Sequence, residues 1–372
     1  MKILSFIVNR ANYGRIKPVL DLLQKDDCID LVICCTGTTV EESFGNTFMF
    51  IERDGHTVKY KSKIEEGGKS LSSMAYTCSN AIKMATKILL EERPDITLLI
   101  GDRYETLGIA IASSFLNIPI AHIQGGELSG SIDENIRHCI TKLSHYHFTA
   151  TERSKNILKQ LGENSNNIYN TGCPAGDIIL ETTKLDFLLL KSLLGIENPD
   201  YILVVYHPTT TEIDLESQRI RILINAVKRL NRSTIWLTPN SDAGSKLIEE
   251  ALEEVNSEKI KFFTSFSPIE YVNIMNNSSL CLGNSSSFLR DSGFLGVPVV
   301  LIGNRQNNRE YSENLTVADF NIESILSAAQ KQMHHGKYPP SNLYGDGNAA
   351  KKISQILKQV TPNTKKEFNI LK

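Results

Sequence analysis

Short runs of apolar residues alternate with longer amphipathic segments along the first half of the chain. The runs are continuous, and they comprise Ile3–Val8, Leu31–Cys35, Ile96–Ile100, Ile118–Ile123 and Tyr146–Thr149. The segments between them show helical periodicity, as in Ser73–Glu92 and Tyr104–Leu116. Continuous apolar strands indicate a parallel sheet covered on both faces, and their alternation with helices indicates βαβ units. The first half therefore predicts a doubly wound α/β domain.

The same alternation starts again near residue 200. The predicted strands there are Tyr201–Tyr206, Thr234–Leu237, Ile260–Phe263, Ser279–Leu282 and Val297–Ile302. Helical patterns such as Gln218–Leu230 and Ser245–Val255 lie between them. The chain has 372 residues, a length that itself favours two domains at roughly 100–200 residues each. We therefore predict two doubly wound domains of similar size, joined by residues 172–200, with a last helix over Asn348–Gln359.

Charge and composition exclude several classes of protein. Lys plus Arg total 40 and Asp plus Glu total 42, for a net charge of -2. This balance argues against a nucleic-acid or anionic-membrane partner, because both favour a basic surface. No apolar run reaches the roughly 20 residues of a membrane span. The seven cysteines include no CxxC pair, which predicts a reducing cytoplasm and neither a disulfide framework nor a zinc ribbon. No histidine spacing indicates a metal site.

Polar and glycine residues follow almost every predicted strand. They include Asn9–Gly14, Gly101–Arg103, Gln124–Glu127, His207–Pro208, Pro239–Asp242, Gly283–Ser287 and Gly303–Arg305. Ligands of doubly wound sheets bind beyond the carboxyl ends of the strands. Two such edges that face each other predict a cleft between the domains.

The segment Gly283–Ser287 has the features of a phosphate-binding turn. It follows a strand and precedes a helical pattern, so its backbone N–H groups and the hydroxyls of Ser285 and Ser286 can donate to an anion. Asp291 lies one turn inside that helix, where a carboxylate can accept from ribose hydroxyls. A plain serine-rich helix cap is the alternative interpretation. Neither a P-loop nor a GxGxxG dinucleotide fingerprint is present.

Cationic and histidine side chains also follow strands. Arg10 follows the first strand and can pair with a diphosphate in bidentate fashion, and Arg305 with Arg309 forms a second cationic pair. His207 ends the Tyr201 strand, where it can donate to phosphate oxygens or protonate a leaving group. Taken alone, the arginines are as readily surface residues, and a lone histidine such as His207 is more often structural.

Acidic candidates lie in the first domain. Asp102 ends a strand, where partial desolvation raises a carboxylate pKa. Asp133 and Glu134 open a helical pattern, and acids in a first helical turn also complement the helix dipole without any catalytic role. No GxSxG elbow supports a serine nucleophile.

Taken together, these motifs resemble the UDP-N-acetylglucosamine 2-epimerases, and especially their hydrolysing branch in sialic-acid biosynthesis. The matching segments span most of the chain and comprise Asn9–Gly14, Gly101–Arg103, His122–Glu127, Ser131–His138, Thr171–Pro174, Tyr206–Thr210, Pro239–Ser245, Gly283–Ser287, Arg305–Gln306 and Tyr344–Asn348. The resemblance implies a GT-B fold with the active site between two Rossmann-like domains. It also implies elimination of UDP from UDP-N-acetylglucosamine and hydration of the resulting 2-acetamidoglucal to N-acetylmannosamine, with no metal or nicotinamide cofactor.

The resemblance assigns roles to individual residues. The UDP site would comprise Arg10, Gly14, His207, Asn240, Phe266, Ser285, Ser286, Asp291 and Arg305, with Phe266 beside the uracil. The sugar would face Asp102, Asp133 and Glu134, one of which takes the C2 proton while another guides water. Gln124 occupies a position where some relatives have Glu, and an amide cannot act as a general base. That role would then move to Asp102 or Asp133.

The resemblance further implies domain boundaries and assembly. Residues 1–175 would form the first domain, rejoined by a C-terminal helix at 355–372, and residues 176–354 would form the UDP-binding domain. A homodimer or tetramer is expected. One alternative substrate is UDP-2,4-diacetamido-2,4,6-trideoxyglucose, of the legionaminic-acid pathway. A non-hydrolysing epimerase, a GT-B glycosyltransferase or a nucleotide-sugar-binding protein would use the same predicted cleft.

Overall fold

Two parallel sheets organise the protein in the computed structural model, which describes residues 1–67, 69–182, 185–197 and 200–370. The strands of the first sheet are β1 (Lys2–Ile7), β2 (Asp30–Thr36), β3 (Val58–Ser62), β4 (Ile96–Ile100), β5 (Ile120–Ile123), β6 (Tyr146–Thr149) and β7 (Ile168–Asn170). Their order in the sheet is β3-β2-β1-β4-β5-β6-β7. The helices of this half are α1 (Arg10–Gln24), α2 (Phe48–Arg53), α3 (Leu71–Glu92), α4 (Tyr104–Phe115), α5 (Ile132–Leu143) and α6 (Glu152–Gln160).

The second sheet repeats this order with one strand fewer. After α7 (Ala175–Glu181) and α8 (Phe187–Leu194), its strands are β8 (Tyr201–Val205), β9 (Ser233–Leu237), β10 (Ile260–Phe263), β11 (Leu280–Gly283), β12 (Val299–Ile302) and β13 (Leu315–Ala318). The order is β10-β9-β8-β11-β12-β13. The remaining helices are α9 (Glu216–Leu230), α10 (Ser245–Glu253), α11 (Pro268–Asn277), α12 (Ser287–Leu295), α13 (Ile322–His335) and α14 (Ala349–Gln359). The predicted fold, two doubly wound domains in a GT-B arrangement, is confirmed.

Helices cover both faces of each sheet. Alternate residues of β1 enter two separate cores: Ile3 and Ile7 pack with α1, whereas Leu4 and Phe6 pack with α3 and α4. This arrangement explains why the central strands are apolar without interruption. The strands that the apolar pattern did not predict, β3, β7 and β13, lie at sheet edges. Residues in β3 and β13 are partly exposed, so neither strand needs a continuous apolar run.

The C-terminal helix returns to the first domain, where Ala350, Ile353 and Leu357 pack into the core beside α1. It ends at Gln359, as the helical periodicity predicts. Residues 360–370, which the domain prediction included in a helix over 355–372, are not helical; residues 371 and 372 lie outside the described residues. This segment instead runs along the first domain, where Lys366 Nζ lies 2.5 Å from Glu163 Oε2. The domain boundaries themselves stay predictions.

Candidate active site

The two sheets bring their topological switch points to one cleft. In the first sheet the strand order reverses between β1 and β4, and in the second between β8 and β11. A crevice forms at such a reversal because the connections on either side leave to opposite faces of the sheet. The residues that follow these four strands are Arg10, Asp102, His207 and Ser285, and all four line the cleft.

The cleft encloses about 1500 Å³ with its open mouth included. Of the predicted site residues, those that line it are Arg10, Gly14, Asp102, Asp133, His207, Asn240, Phe266, Ser285, Ser286, Asp291 and Arg305. Gln124 and Glu134 do not line it. Arginines outnumber acids in the lining, with Arg10, Arg15, Arg103, Arg290, Arg305 and Arg309 against Asp102, Asp133 and Asp291. This excess of cations favours an anionic ligand.

The turn before α12 forms the anion-binding wall. Gly283 has φ +144°, and a Cβ there would lie 2.1 Å from the carbonyl oxygen of Val205. Glycine is therefore required for the turn to pass so close to β8. Ser285 Oγ lies 2.9 Å from Ser287 Oγ, and Arg290 Nη2 donates to Ser286 Oγ at 2.7 Å. Hydroxyls, a guanidinium and the N-terminus of α12 thus converge on one side of the cleft.

Arg10 and Arg305 approach this wall from the two domains. Arg10, at the start of α1, donates from Nη2 to the carbonyl oxygen of Thr238 at 3.3 Å. Arg305 follows β12 and lies 3.3 Å from Asp133 through Nη2, while its buried Nε has no partner among the described residues. Unused donors of this kind suit a ligand with several acceptor oxygens.

His207 is neutral in this environment. Burial and the nearby charges of Arg305, Arg10 and Arg103 lower its pKa well below the usual value. The backbone N–H of Asn240 donates to its Nδ1 at 3.3 Å, which leaves the ring proton on Nε2. The side chain therefore presents a hydrogen-bond donor rather than a positive charge.

Asp102 is held ionised at the end of β4. Arg137, on α5, donates to its Oδ2 from both Nε and Nη2, and Arg309 Nη2 lies 3.8 Å away. Burial alone would raise the pKa of Asp102, but the charges of Arg137, Arg309 and Arg15 outweigh it and hold the pKa well below the usual range. This carboxylate stays charged throughout the neutral pH range.

Asp133 and Glu134 are adjacent in the first turn of α5 but face different surroundings. Asp133 lines the cleft and carries a raised pKa, because burial outweighs the opposing charge of Arg305. Glu134 instead accepts from the backbone N–H of Ser129 at 2.5 Å, and so fixes the loop that precedes α5. Its predicted position facing the sugar stays a prediction.

Gln124 lies behind the cleft wall and contacts Arg15. The residue is 1% exposed with φ +68°. Its Oε1 accepts from Arg15 Nη1 at 2.7 Å, and its Nε2 lies 2.8 Å from Cys173 Sγ. The amide therefore orients a cleft arginine and takes no place among the acids that line the cleft.

Asp291 and Phe266 lie on the second-domain side of the cleft. Burial raises the pKa of Asp291 to about 6, although Arg290 and Arg15 oppose the shift. Its Oδ1 is buried and has no partner among the described residues, so it is free to accept from a ligand hydroxyl. Phe266 lies 4.9 Å from Phe263 between ring centroids and is 8% exposed. Their predicted contacts with ribose and uracil stay predictions.

An ion cluster in the cleft wall joins the two domains. Glu127 Oε2 lies 2.9 Å from Arg290 Nη1 and 3.3 Å from Arg309 Nη2, with all three side chains 3% exposed. At a second contact, Arg103 pairs with Glu105 on its own domain and with Asp242 on the other. These buried ion pairs connect the two domains beside the cleft.

Several of these residues were not predicted from the sequence. Arg290 lies one turn after Ser286, so the spacing along α12 could have indicated its contact with the serine. Arg15 and Tyr271 line the cleft without any motif signal.

The described residues contain no group of three His, Cys, Asp or Glu side chains placed to hold a metal ion. Within the same residues, no helix is long and apolar enough to cross a membrane.

Comparison with known proteins supplies an independent line of evidence. Residues 21–358 match a family model described as UDP-N-acetylglucosamine 2-epimerase. The chain is 36% identical over 361 residues to a UDP-N,N'-diacetylbacillosamine 2-epimerase (hydrolyzing) of Legionella pneumophila, covering 96% of each chain. It is 29% identical over 349 residues to a UDP-N-acetylglucosamine 2-epimerase of Neisseria meningitidis serogroup B, covering 93% of this chain and 91% of the relative. A solved structure of the Methanocaldococcus jannaschii UDP-GlcNAc 2-epimerase in complex with UDP-GlcNAc and UDP superimposes with TM-score 0.82 at 21% identity, covering 97% of this chain and 100% of that one.

Proposed function

Because the chain belongs to the UDP-N-acetylglucosamine 2-epimerase family, we propose that it is a hydrolysing 2-epimerase whose substrate is UDP-N,N'-diacetylbacillosamine. This nucleotide sugar is UDP-2,4-diacetamido-2,4,6-trideoxyglucose. The products would be UDP and free 2,4-diacetamido-2,4,6-trideoxymannose, a precursor of nonulosonic acids. The 36% identical relative carries this activity in its name.

The observation that carries the proposal is the arrangement of the two cleft walls. The turn over Gly283–Ser287 and Arg305 lie on one wall, and the carboxylates of Asp102 and Asp133 lie on the other. Contact between the walls is direct, since Arg305 and Asp133 are 3.3 Å apart. A diphosphate bound to the turn would therefore hold its sugar against the two carboxylates.

This arrangement suits an elimination followed by a hydration. In the first step a carboxylate takes the C2 proton, the C2–H electrons form the C1=C2 bond, and the C1–O bond breaks with its electron pair leaving on UDP. In the second step water adds its oxygen to C1 while C2 receives a proton on the opposite face. The net reaction consumes one water and releases UDP and the epimerised sugar.

Departure of UDP is the step that the cleft would assist most strongly. Arg10, Arg305 and the hydroxyls of Ser285 and Ser286 would stabilise the charge that develops on the diphosphate, and neutral His207 would add one donor. Such preorganised donors act where charge forms in the transition state, and losing one costs about 10²–10³-fold in turnover.

UDP-N-acetylglucosamine is the second candidate substrate. The family description and the 29% identical relative both favour it. The two substrates differ at C4 and C6 of the sugar and share the nucleotide and the C2 acetamide, so the elimination chemistry is common to both. Assembly as a homodimer or tetramer and a cytoplasmic location stay predictions.

Parallel turnover assays with the two nucleotide sugars test the proposal. We expect both UDP and free sugar to appear, with a higher kcat/KM for UDP-N,N'-diacetylbacillosamine. Asp102→Asn serves as the site control and should abolish turnover of either substrate. A higher kcat/KM for UDP-N-acetylglucosamine would favour the second candidate. A product that keeps its UDP would indicate a non-hydrolysing epimerase, and a requirement for an acceptor would indicate a glycosyltransferase.

A further inference from the structure

The two cleft carboxylates are held in different ways. Asp102 accepts from two N–H groups of Arg137 and lies 3.8 Å from Arg309, and both arginines are almost completely buried. Asp133 has one ion-pair partner among the described residues, Arg305, at 3.3 Å. The first carboxylate is held at short range by Arg137 of its own domain, whereas the second depends on one residue of the opposite wall.

Arg305 has other possible partners in its surroundings. Its Nη1 lies 3.5 Å from the carbonyl oxygen of Asn284, next to the anion-binding turn. Its Nε is buried without a partner in the described chain. A guanidinium interacts more strongly with two phosphate oxygens than with one carboxylate oxygen, because bidentate charged pairs are the stronger ones. The unused N–H of Arg305 lies beside the proposed diphosphate site and is available for such a pair.

We propose that the diphosphate of the substrate draws Arg305 away from Asp133, and that this exchange frees Asp133 to act as the base that removes the C2 proton. The inference rests on the proposed function, since it assigns the base of that reaction. Binding of the nucleotide and activation of the base are then one event. Asp133 would be active only when a substrate occupies the cleft.

The charges that remain around Asp133 support this role. Once Arg305 has turned to the phosphates, Asp133 faces the carboxylates of Asp102 and Asp242 and the guanidinium of Arg103. Arg103 is already paired with Glu105 and Asp242, so it compensates little of the negative charge on Asp133. The pKa of Asp133, already raised by burial, must rise further in the complex. A base with a higher pKa accepts a carbon-bound proton more readily, whereas Asp102 stays a weak base beside Arg137.

The proton balance of the step follows from this assignment. The C2 proton passes to Asp133, the C2–H electron pair forms the double bond to C1, and UDP leaves with the C1–O electron pair. Arg305 neutralises the leaving diphosphate at the same moment. The proton on Asp133 returns to solvent before the next cycle, when Arg305 pairs with the carboxylate again.

Proton uptake on binding of UDP tests the exchange directly. Titration calorimetry with UDP in two buffers of different ionisation enthalpy, between pH 5 and 7, measures the protons taken up per site. Because the pKa of Asp133 is higher in the complex than in the free protein, the wild type should take up more protons than Asp133→Asn toward pH 5, by up to one per site. The difference should shrink toward pH 7, where Asp133 has to be ionised to act as the base. Glu254→Gln changes an exposed acid that does not line the cleft, and it should match the wild type. The terminal phosphate of UDP titrates alike in all three proteins, so it cancels from the comparison.

The outcomes separate this inference from the proposed function. Equal uptake by the wild type and Asp133→Asn would overturn the exchange, and so would retention by Asp133→Asn of turnover within about tenfold of the wild type, since a general base contributes about 10²–10⁴-fold. We expect that variant to bind UDP and to lose deuterium exchange at C2. Absence of any UDP binding by the wild type would instead contradict the proposed function itself.

Discussion

Arg137 gives the sharpest test of how the cleft is held together. It is 1% exposed and donates to Asp102 from Nε and Nη2 and to the carbonyl oxygen of Glu127 from Nη1. Arg137→Met keeps most of the side-chain volume and removes the charge. Asp102 would then lose its strongest compensating cation while remaining buried. Breaking a buried pair from one side costs about 3–5 kcal/mol.

For a chain of 372 residues that unfolds as one unit, this free energy corresponds to a fall in Tm of about 4–6 °C. Differential scanning calorimetry of Arg137→Met, Asp102→Asn and the double variant measures it as a double-mutant cycle. The double variant should lose less stability than the sum of the two single variants, because it no longer buries an uncompensated charge. Losses that add to within about 0.5 kcal/mol would refute the argument that the two side chains stabilise each other.

Three further predictions follow from other parts of the site. Gly283→Ala should abolish UDP binding, because the added methyl group would lie 2.1 Å from a carbonyl oxygen of β8; calorimetry with UDP measures this, and unchanged affinity would show that the turn does not hold the diphosphate. Burial lowers the pKa of His122 to about 4 from a usual 6.5. On acidification the imidazole is therefore protonated in the unfolded chain before it is protonated in the folded protein, and the free energy of unfolding decreases as the pH falls from 6.5 through 4. Urea unfolding across this range should show a decrease of up to about 3 kcal/mol in the free energy of unfolding. This decrease should be absent in His122→Gln, and an unaltered pH dependence in that variant would contradict the assignment to His122. Treatment with EDTA followed by gel filtration should leave turnover unchanged, whereas a loss that a divalent ion restores would contradict an elimination without metal.

The sequence pattern predicted the central strands because burial on both faces requires continuous apolar residues, as in β1 and β4. It could not predict β3 or β13, whose partial exposure at a sheet edge relaxes that requirement. Position relative to a buried strand also explains which site residues could be predicted. Ser285 and Asp102 were found because they directly follow buried strands, and chain position alone places such residues at the cleft.

Residues whose roles depend on distant partners were not found in this way. Arg290 donates a hydrogen bond to Glu127, which lies 163 positions away in the chain and belongs to the other domain. This pairing depends on the contact between the two domains. Gln124 and Glu134 show the opposite case, since their positions in a motif suggested the cleft while their side chains contact Arg15 and the backbone of Ser129. The direction of a side chain, unlike the end of a strand, is set by tertiary packing.

The most direct test of the central claim is a proton NMR time course in D₂O with UDP-N,N'-diacetylbacillosamine, with UDP-N-acetylglucosamine as the comparison substrate. We expect UDP and a free sugar of manno configuration to form together, with deuterium in place of the C2 proton, because the C2–H bond must break before the glycal is hydrated. A free sugar that keeps its original C2 proton and gluco configuration would show simple hydrolysis of the glycosyl phosphate, and it would contradict the proposed elimination.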